Sequence, residues 1–160
     1  MKRLTIILVL MLLTICSFAQ TAKDIYQKYS DSENVSAVYI SPAMFRMIGK
    51  IPDLQVKGDT VNLASIIQNM SGMYLIDSEN SAINSSIKAD VGKFVASGKY
   101  ELLMEAKDSG QVVRMYTEGS DTHVTSFVMI SVEDNETTFI CLNGNINRSD
   151  LDNLLANKVK

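Results

Sequence analysis

One histidine, two cysteines, two prolines and no tryptophan occur in 160 residues, and each scarcity removes a class of explanation. A lone His123 cannot build a histidine-rich metal centre, and as a general base it would have to act without a partner of its own kind. Pro42 and Pro52 stand apart and the eight glycines are dispersed, so there is no Pro- or Gly-rich linker, no low-complexity tract and no repeat to divide the chain. Excess positive charge is missing too. The formal net charge is −3, which argues against a nucleic-acid partner.

A second long apolar run is also absent, so the one that exists carries weight. Lys2 and Arg3 precede a nearly unbroken apolar stretch at residues 4–15, and Ser17-Phe18-Ala19 then supplies small residues for signal peptidase. The stretch falls short of the roughly 20 apolar residues that a membrane span requires. Residues 1–19 therefore read as a cleaved signal peptide, with the cut between Ala19 and Gln20, and the mature chain carries no transmembrane helix. Cys16 offers a rival route, acylation as a lipoprotein, against which stands Ile15 where that peptidase prefers a small residue. The expected location is the periplasm or the exterior, the alternative being a lipid anchor at Cys16. Removal of the leader leaves Cys141 alone, so no intramolecular disulfide can form. Cys141 lies in the apolar run 137–142, where a buried small hydrophobe is the expected role.

Residues 20–160 are the right size for a single domain with its own core. The first half alternates helices and strands: a helix at 22–29, a strand at 35–40, a helix opened by Ser41-Pro42 and stopped before Pro52, a helix capped by Asp59 or Thr60 and ended by Gly72, a strand at 73–76 and a long helix at 81–97. The period then changes from about 3.6 to 2. Four strands follow, at 100–107, 111–117, 123–132 and 137–143, and a closing helix from Ser149 carries Leu151, Leu154, Leu155 and Val159 on one side. The expected fold class is α+β: two layers, a mixed sheet with a C-terminal four-stranded antiparallel meander, and helices packed on one face.

Two-residue turns at Ser109-Gly110 and Asp134-Asn135, with a four-residue loop at 119–122, register the meander. One face then collects Leu102, Met104, Ala106, Val113, Met115, Val124, Val128, Ile130, Val132, Phe139 and Cys141 as the core. The other brings Glu105 opposite Arg114 and gathers Tyr116, Phe127, Met129, Ile140 and Leu142. Left open, those five form an apolar patch, the candidate partner-binding face for an extracytoplasmic protein or a second copy of the chain. Covered by a further helix, they are simply core.

Catalytic, cofactor-binding and metal residues are not expected. Ser41 sits between a strand and a helix but lacks the flanking glycines of a nucleophile elbow, so it reads as a helix cap, and His123 reads as a surface side chain. Asp77 with Glu79, and Glu133 with Asp134 and Glu136, lack the ligand spacing of a calcium loop. Asn143-Gly144-Asn145 is too poor in glycine to cradle phosphate, and Gly144 is expected to supply a positive φ after the last strand.

From Val35 onward the chain resembles the exported family catalogued as domain of unknown function 4252, found in bacteria of the Bacteroidota. The resemblance is carried by Val38-Tyr39-Ile40-Ser41-Pro42-Ala43-Met44-Phe45, by Tyr100-Glu101-Leu102-Leu103-Met104 with Lys107-Asp108-Ser109-Gly110, and by Leu142-Asn143-Gly144-Asn145-Ile146 before Leu151. Many members look like lipoproteins, and the Ile15-Cys16 junction departs from that pattern. The family's frequent proximity to sigma-factor and envelope regulatory genes implies a role in cell-surface signalling. In such bacteria Asp59-Thr60-Val61 also resembles an acceptor for O-glycosylation at Thr60, the alternative being that Thr60 only caps a helix. The expectation is an exported, non-enzymatic envelope protein acting by protein–protein interaction; the alternatives are a small-ligand or ion-binding module and a hydrolase using Ser41 and His123.

Overall fold

The computed structural model describes residues 20–48 and 63–149. Helix α1, Ala22–Tyr29, opens on a capping box: Thr21 accepts from the Asp24 amide at 3.2 Å while Asp24 accepts from the Thr21 amide at 2.9 Å. The Thr21 hydroxyl also donates to the Asp24 carboxylate at 2.7 Å, and that bond first, then the one from the Thr21 amide, holds the Asp24 carboxyl below its ordinary range. Strand β1, Val35–Ile40, follows, and then helix α2, Pro42–Ile48, where the Met44 amide donates to the Ser41 hydroxyl at 3.3 Å. Helix α3 is Leu63–Gln68 and strand β2 is Met70–Ser78. Met70 and Gly72 thus belong to a strand, not to the end of a helix, because hydrogen bonding to the last strand wins over helical spacing. The long helix α4, Ser81–Ser97, has Asn80 as N-cap and Gly98 as C-cap.

Strands β3 (Glu101–Asp108), β4 (Gln111–Gly119), β5 (His123–Val132) and β6 (Thr137–Asn147) are joined by short turns. Ser109 and Gly110 both have positive φ, 39° and 100°, the backbone of a type I′ hairpin. The six strands form one sheet in the order β1-β2-β6-β5-β4-β3, and every neighbouring pair is antiparallel. This corrects the expected mixed sheet. Alternating strands and helices imply parallel neighbours only when one helix crosses between them, and among the described residues two helices lie between β1 and β2. The closing helix expected from Ser149, like Thr60 and Ala19, lies outside the described residues except for its first position.

The core lies between α1 and α4 and one face of the sheet. Ile25 and Tyr29 of α1 and Ile87, Val91 and Phe94 of α4 meet Ile76, Val128, Ile130, Phe139 and Cys141. Phe139 is fully buried and meets Phe94 edge to face with ring centroids 6.5 Å apart. A charged lock joins the two helices. Asp90 of α4 accepts from Lys28 Nζ at 2.6 Å and from the Tyr29 hydroxyl at 2.7 Å, with Lys93 Nζ 3.6 Å away. Among the described residues no helix is long and apolar enough to cross a membrane.

The β4–β5 hairpin overturns part of the expected register. Its ladder pairs Val112 with Val132 and Tyr116 with Val128, and the irregularities between Glu118 and Gly119 and between Val124 and Ser126 absorb residues that a plain four-residue loop would not. The shift is odd, so it turns β4 face for face, and β3 with it as far as the bulge between Leu102 and Met104, beyond which Leu102, paired with Tyr116, keeps its expected side. Tyr116 consequently packs on the helix side against the core, while Val113, Met115, Met104 and Ala106 join the opposite face. Val128, Ile130, Val132, Phe139 and Cys141 lie in the core as expected. Gly144 lies within β6 without positive φ; a Cβ there would stand 2.8 Å from the Asn69 carbonyl oxygen, so the glycine permits close approach of the chain entering β2.

Candidate interaction surface

Cross-strand register brings the sheet face opposite α1 and α4 together row by row. Val38, Leu75, Ile140, Met129, Met115 and Met104 are successive partners across all six strands, one residue from each. Ile40, Met73, Leu142 and Phe127 form the adjacent row, which ends in Thr117 and Glu101. The row on the other side is mostly polar: Ser36, Asp77, Thr138 and Ser131, then Val113 and Ala106. Five strand spacings make the band about 24 Å long.

None of the ten apolar side chains in these two rows is buried, and Val38 and Met104 are each 42% exposed. On the opposite face, by contrast, Ile76, Val128, Phe139 and Cys141 are completely buried. Four of the ten are methionines. Their flexible, polarisable side chains let such a surface adapt to differently shaped apolar partners. Phe127, Met129, Ile140 and Leu142 are therefore assembled as expected, with Phe127 paired to Leu142 and Met129 to Ile140. Tyr116 is not among them. The sequence reading missed Val38, Ile40, Met73 and Leu75, although alternation in β1 and β2 was the signal that could have placed them.

At one end of the band lies β3, exposed throughout and interrupted by a bulge between Leu102 and Met104. Charges guard this edge: Glu105 accepts from Lys107 at 2.7 Å and Arg114 at 2.6 Å, and those hydrogen bonds hold its carboxyl below the ordinary range. The pairing of Glu105 with Arg114 was legible from the hairpin alone.

The other candidates fall elsewhere. His123 is half-buried, with Nδ1 2.9 Å from the neighbouring Thr122 hydroxyl, and Ser41 caps α2; no contact joins the two. Cys141 is fully buried, and burial pushes its thiol up to about 11. It borders a polar thread through the core in which the Tyr100 hydroxyl donates to Ser126 Oγ and Ser126 donates to Asn143 Oδ1, both at 2.9 Å. Desolvation raises the Tyr100 phenol to about 12. Both groups stay protonated at neutral pH, and a buried thiol of that kind is a poor nucleophile. The acidic turn at Glu133, Asp134 and Glu136 lines a groove of about 410 Å³ with Asp108 of the neighbouring hairpin. The charge of Asp77, with burial and the nearby Glu133 and Glu79, raises the Glu136 carboxyl. Among the described residues no three His, Cys, Asp or Glu side chains are gathered as metal ligands.

The family described as Domain of unknown function (DUF4252) matches residues 29–154, from the last residue of α1 to beyond β6. The chain belongs to this family. No curated protein and no solved structure matches it. In this DUF4252 member the matched span contains the whole sheet and both rows of the apolar band.

Proposed function

We propose that this DUF4252 member is an exported, non-enzymatic envelope protein that works by docking another extracytoplasmic protein on the sheet face opposite α1 and α4. The observation that carries this reading is the two-row apolar band, ten apolar side chains of which none is buried, on the sheet face where an antiparallel sheet commonly turns polar side chains to water. Its size favours one occupant. Two rows about 7 Å apart and about 24 Å long cover roughly 300 Å², well under the 800 Å² or so per partner of a standard protein interface. The band instead fits the apolar stripe of one amphipathic helix, whose 16 or so residues span about 24 Å. A helix presented by a protein partner is the proposed occupant. A role in cell-surface signalling suits such a small binding module.

The test is substitution of Ile140 and Phe127 by glutamate. Each variant is expected to stay folded, losing less than about 1 kcal/mol in urea unfolding, because a charge on a water-facing surface needs no burial. The unchanged chain is expected to give a complex in cells by crosslinking and mass spectrometry, and each variant to lose it. Unfolding of either variant would show the face to be core, and a complex consisting only of second copies would replace the helix with a homodimer.

The ion-binding alternative has one observation in its favour, the mutual repulsion that raises Glu136. Calcium is expected to leave the melting temperature unchanged, because four separate carboxylates in an open groove do not enclose a cation. A calcium-dependent rise in melting temperature that vanishes in Glu136→Gln would favour that alternative.

A further inference from the structure

We propose that β1 is a docking edge for β1 of a second copy of the chain, the two strands running antiparallel about a two-fold axis at Val38 so that two sheets join into one. This pairing does not depend on what occupies the apolar band. Among the described residues the sheet has two edges, and they are built differently. β3 is interrupted by a bulge and carries Glu101, Glu105 and Lys107, devices that keep a strand from pairing further. β1 has no charge, no proline and an unbroken register with β2, and its Val38 and Tyr39 are 42% and 47% exposed. The direction of its backbone groups follows from one hydrogen bond. The Glu79 amide donates to the Asn34 carbonyl at 3.0 Å, across the pair that continues the β1–β2 ladder. By alternation Ser36, Val38 and Ile40 turn their N–H and C=O toward β2, while Val35, Ala37 and Tyr39 turn theirs outward, where no described strand meets them.

A second copy is the occupant that the strand's own pattern fits. The extended segment is bounded by Asn34, whose φ of 56° breaks it, and by Pro42, which lacks an N–H, and each stands four residues from Val38. Antiparallel pairing that uses the whole segment therefore centres on Val38. Outward groups then meet outward groups, Ala37 of each copy facing Tyr39 of the other, whereas a one-residue slip would set them against inward ones and turn one band to the wrong side. Side chains agree with this register: Tyr39 lies beside the small Ala37, Ser36 beside Ile40 and Val38 beside Val38, with no like charges opposed. The longer apolar row, which starts at Val38, runs on through the axis into its counterpart, so that two bands become one.

The experiment is disulfide trapping on the chain expressed with its leader and carrying Cys16→Ser, so that the buried Cys141 is the one native thiol. Val38→Cys is expected to give a disulfide-linked dimer under mild oxidation, because opposed residues of a non-hydrogen-bonded pair have Cα atoms about 4.5 Å apart, within disulfide reach. Ser36→Cys alone is expected not to link, its counterpart lying about 13 Å along the strand, whereas mixed Ser36→Cys and Ile40→Cys chains are expected to link to each other. Ala37→Pro removes an outward N–H and leaves the β2 ladder intact, so it is expected to stay folded and to weaken the dimer about tenfold or more in sedimentation equilibrium. Should that variant unfold, Val38→Lys and Val38→Glu, both at an exposed side chain, replace it: each alone is expected to be monomeric, and an equal mixture to restore the dimer. A chain that stays monomeric at high concentration overturns the proposal. So does a dimer trapped equally well through Ser36→Cys or Met129→Cys, which would put the contact on the sheet face instead of the edge.

Discussion

Asp90 interrupts an apolar helical stripe made by Ile87, Val91 and Phe94, and the interruption is what ties α4 to α1. Burial pushes its carboxyl up, but hydrogen bonds from Lys28 and Tyr29, the Lys28 charge and the Gln20 amide outweigh that and leave it below the usual carboxylate range. A folded value below the unfolded one, about 3.9, means that Asp90 adds stability above that pH and loses it as the pH falls through the folded value. Asp90→Asn is therefore expected to cost about 2 kcal/mol at neutral pH and to flatten the acid limb of the stability curve, measured by urea unfolding between neutral pH and the acid transition. A full-size acid limb in the variant would assign that limb to other carboxylates. The sequence reading passed over the lock: a charged residue at a core-facing helical position needs a partner, and that position was the available signal, but that Lys28 and Tyr29 supply it is decided by packing. Tyr116 was not legible. Whether it faces helices or solvent depends on two irregularities elsewhere in the hairpin.

Elements with a strong period were readable from the sequence: α1, β1, α4 and β5 run where spacing put them, while the caps Thr21 and Asn80 emerge only in the structure. What resisted reading was register, because one extra residue in a strand changes no local preference yet reverses a whole face. Direction resisted as well, since β1 and β2 could have been parallel or antiparallel on the same pattern. Glycines give the sharpest tests at this scale. A Cβ on Gly119 would lie only 2.9 Å from the Val124 Cα and closer still to the His123 carbonyl oxygen, so Gly119→Ala is expected to cost about 2–3 kcal/mol by straining the β4–β5 turn. Gly92, inside α4, has nothing within 4 Å of a built Cβ. Gly92→Ala is expected to stabilise by about 0.5–1 kcal/mol through helix propensity alone. Thermal and urea unfolding of the pair check both signs, and a destabilised Gly92→Ala would mean that α4 packs more closely there than described.

At the scale of the whole molecule, the six-stranded sheet has one face buried under α1 and α4 and another whose apolar band runs from β1 to β3. Four of the five residues singled out from sequence lie in that band, because the β5–β6 register needed only a two-residue turn to fix it. The full width of the band required the antiparallel pairing of β1 with β2 and of β2 with β6, which no local pattern announces. The most direct test is a photocrosslinking side chain placed at Met129, at the centre of the longer row, and activated in living cells. A discrete crosslink to another extracytoplasmic protein, mapped to an amphipathic helix and abolished by Ile140→Glu in a chain that remains folded, is the expected result. No crosslink at Met129 beyond that obtained from the exposed, helix-borne Lys88, or one that survives Ile140→Glu unchanged, would contradict the assignment of this face to partner binding.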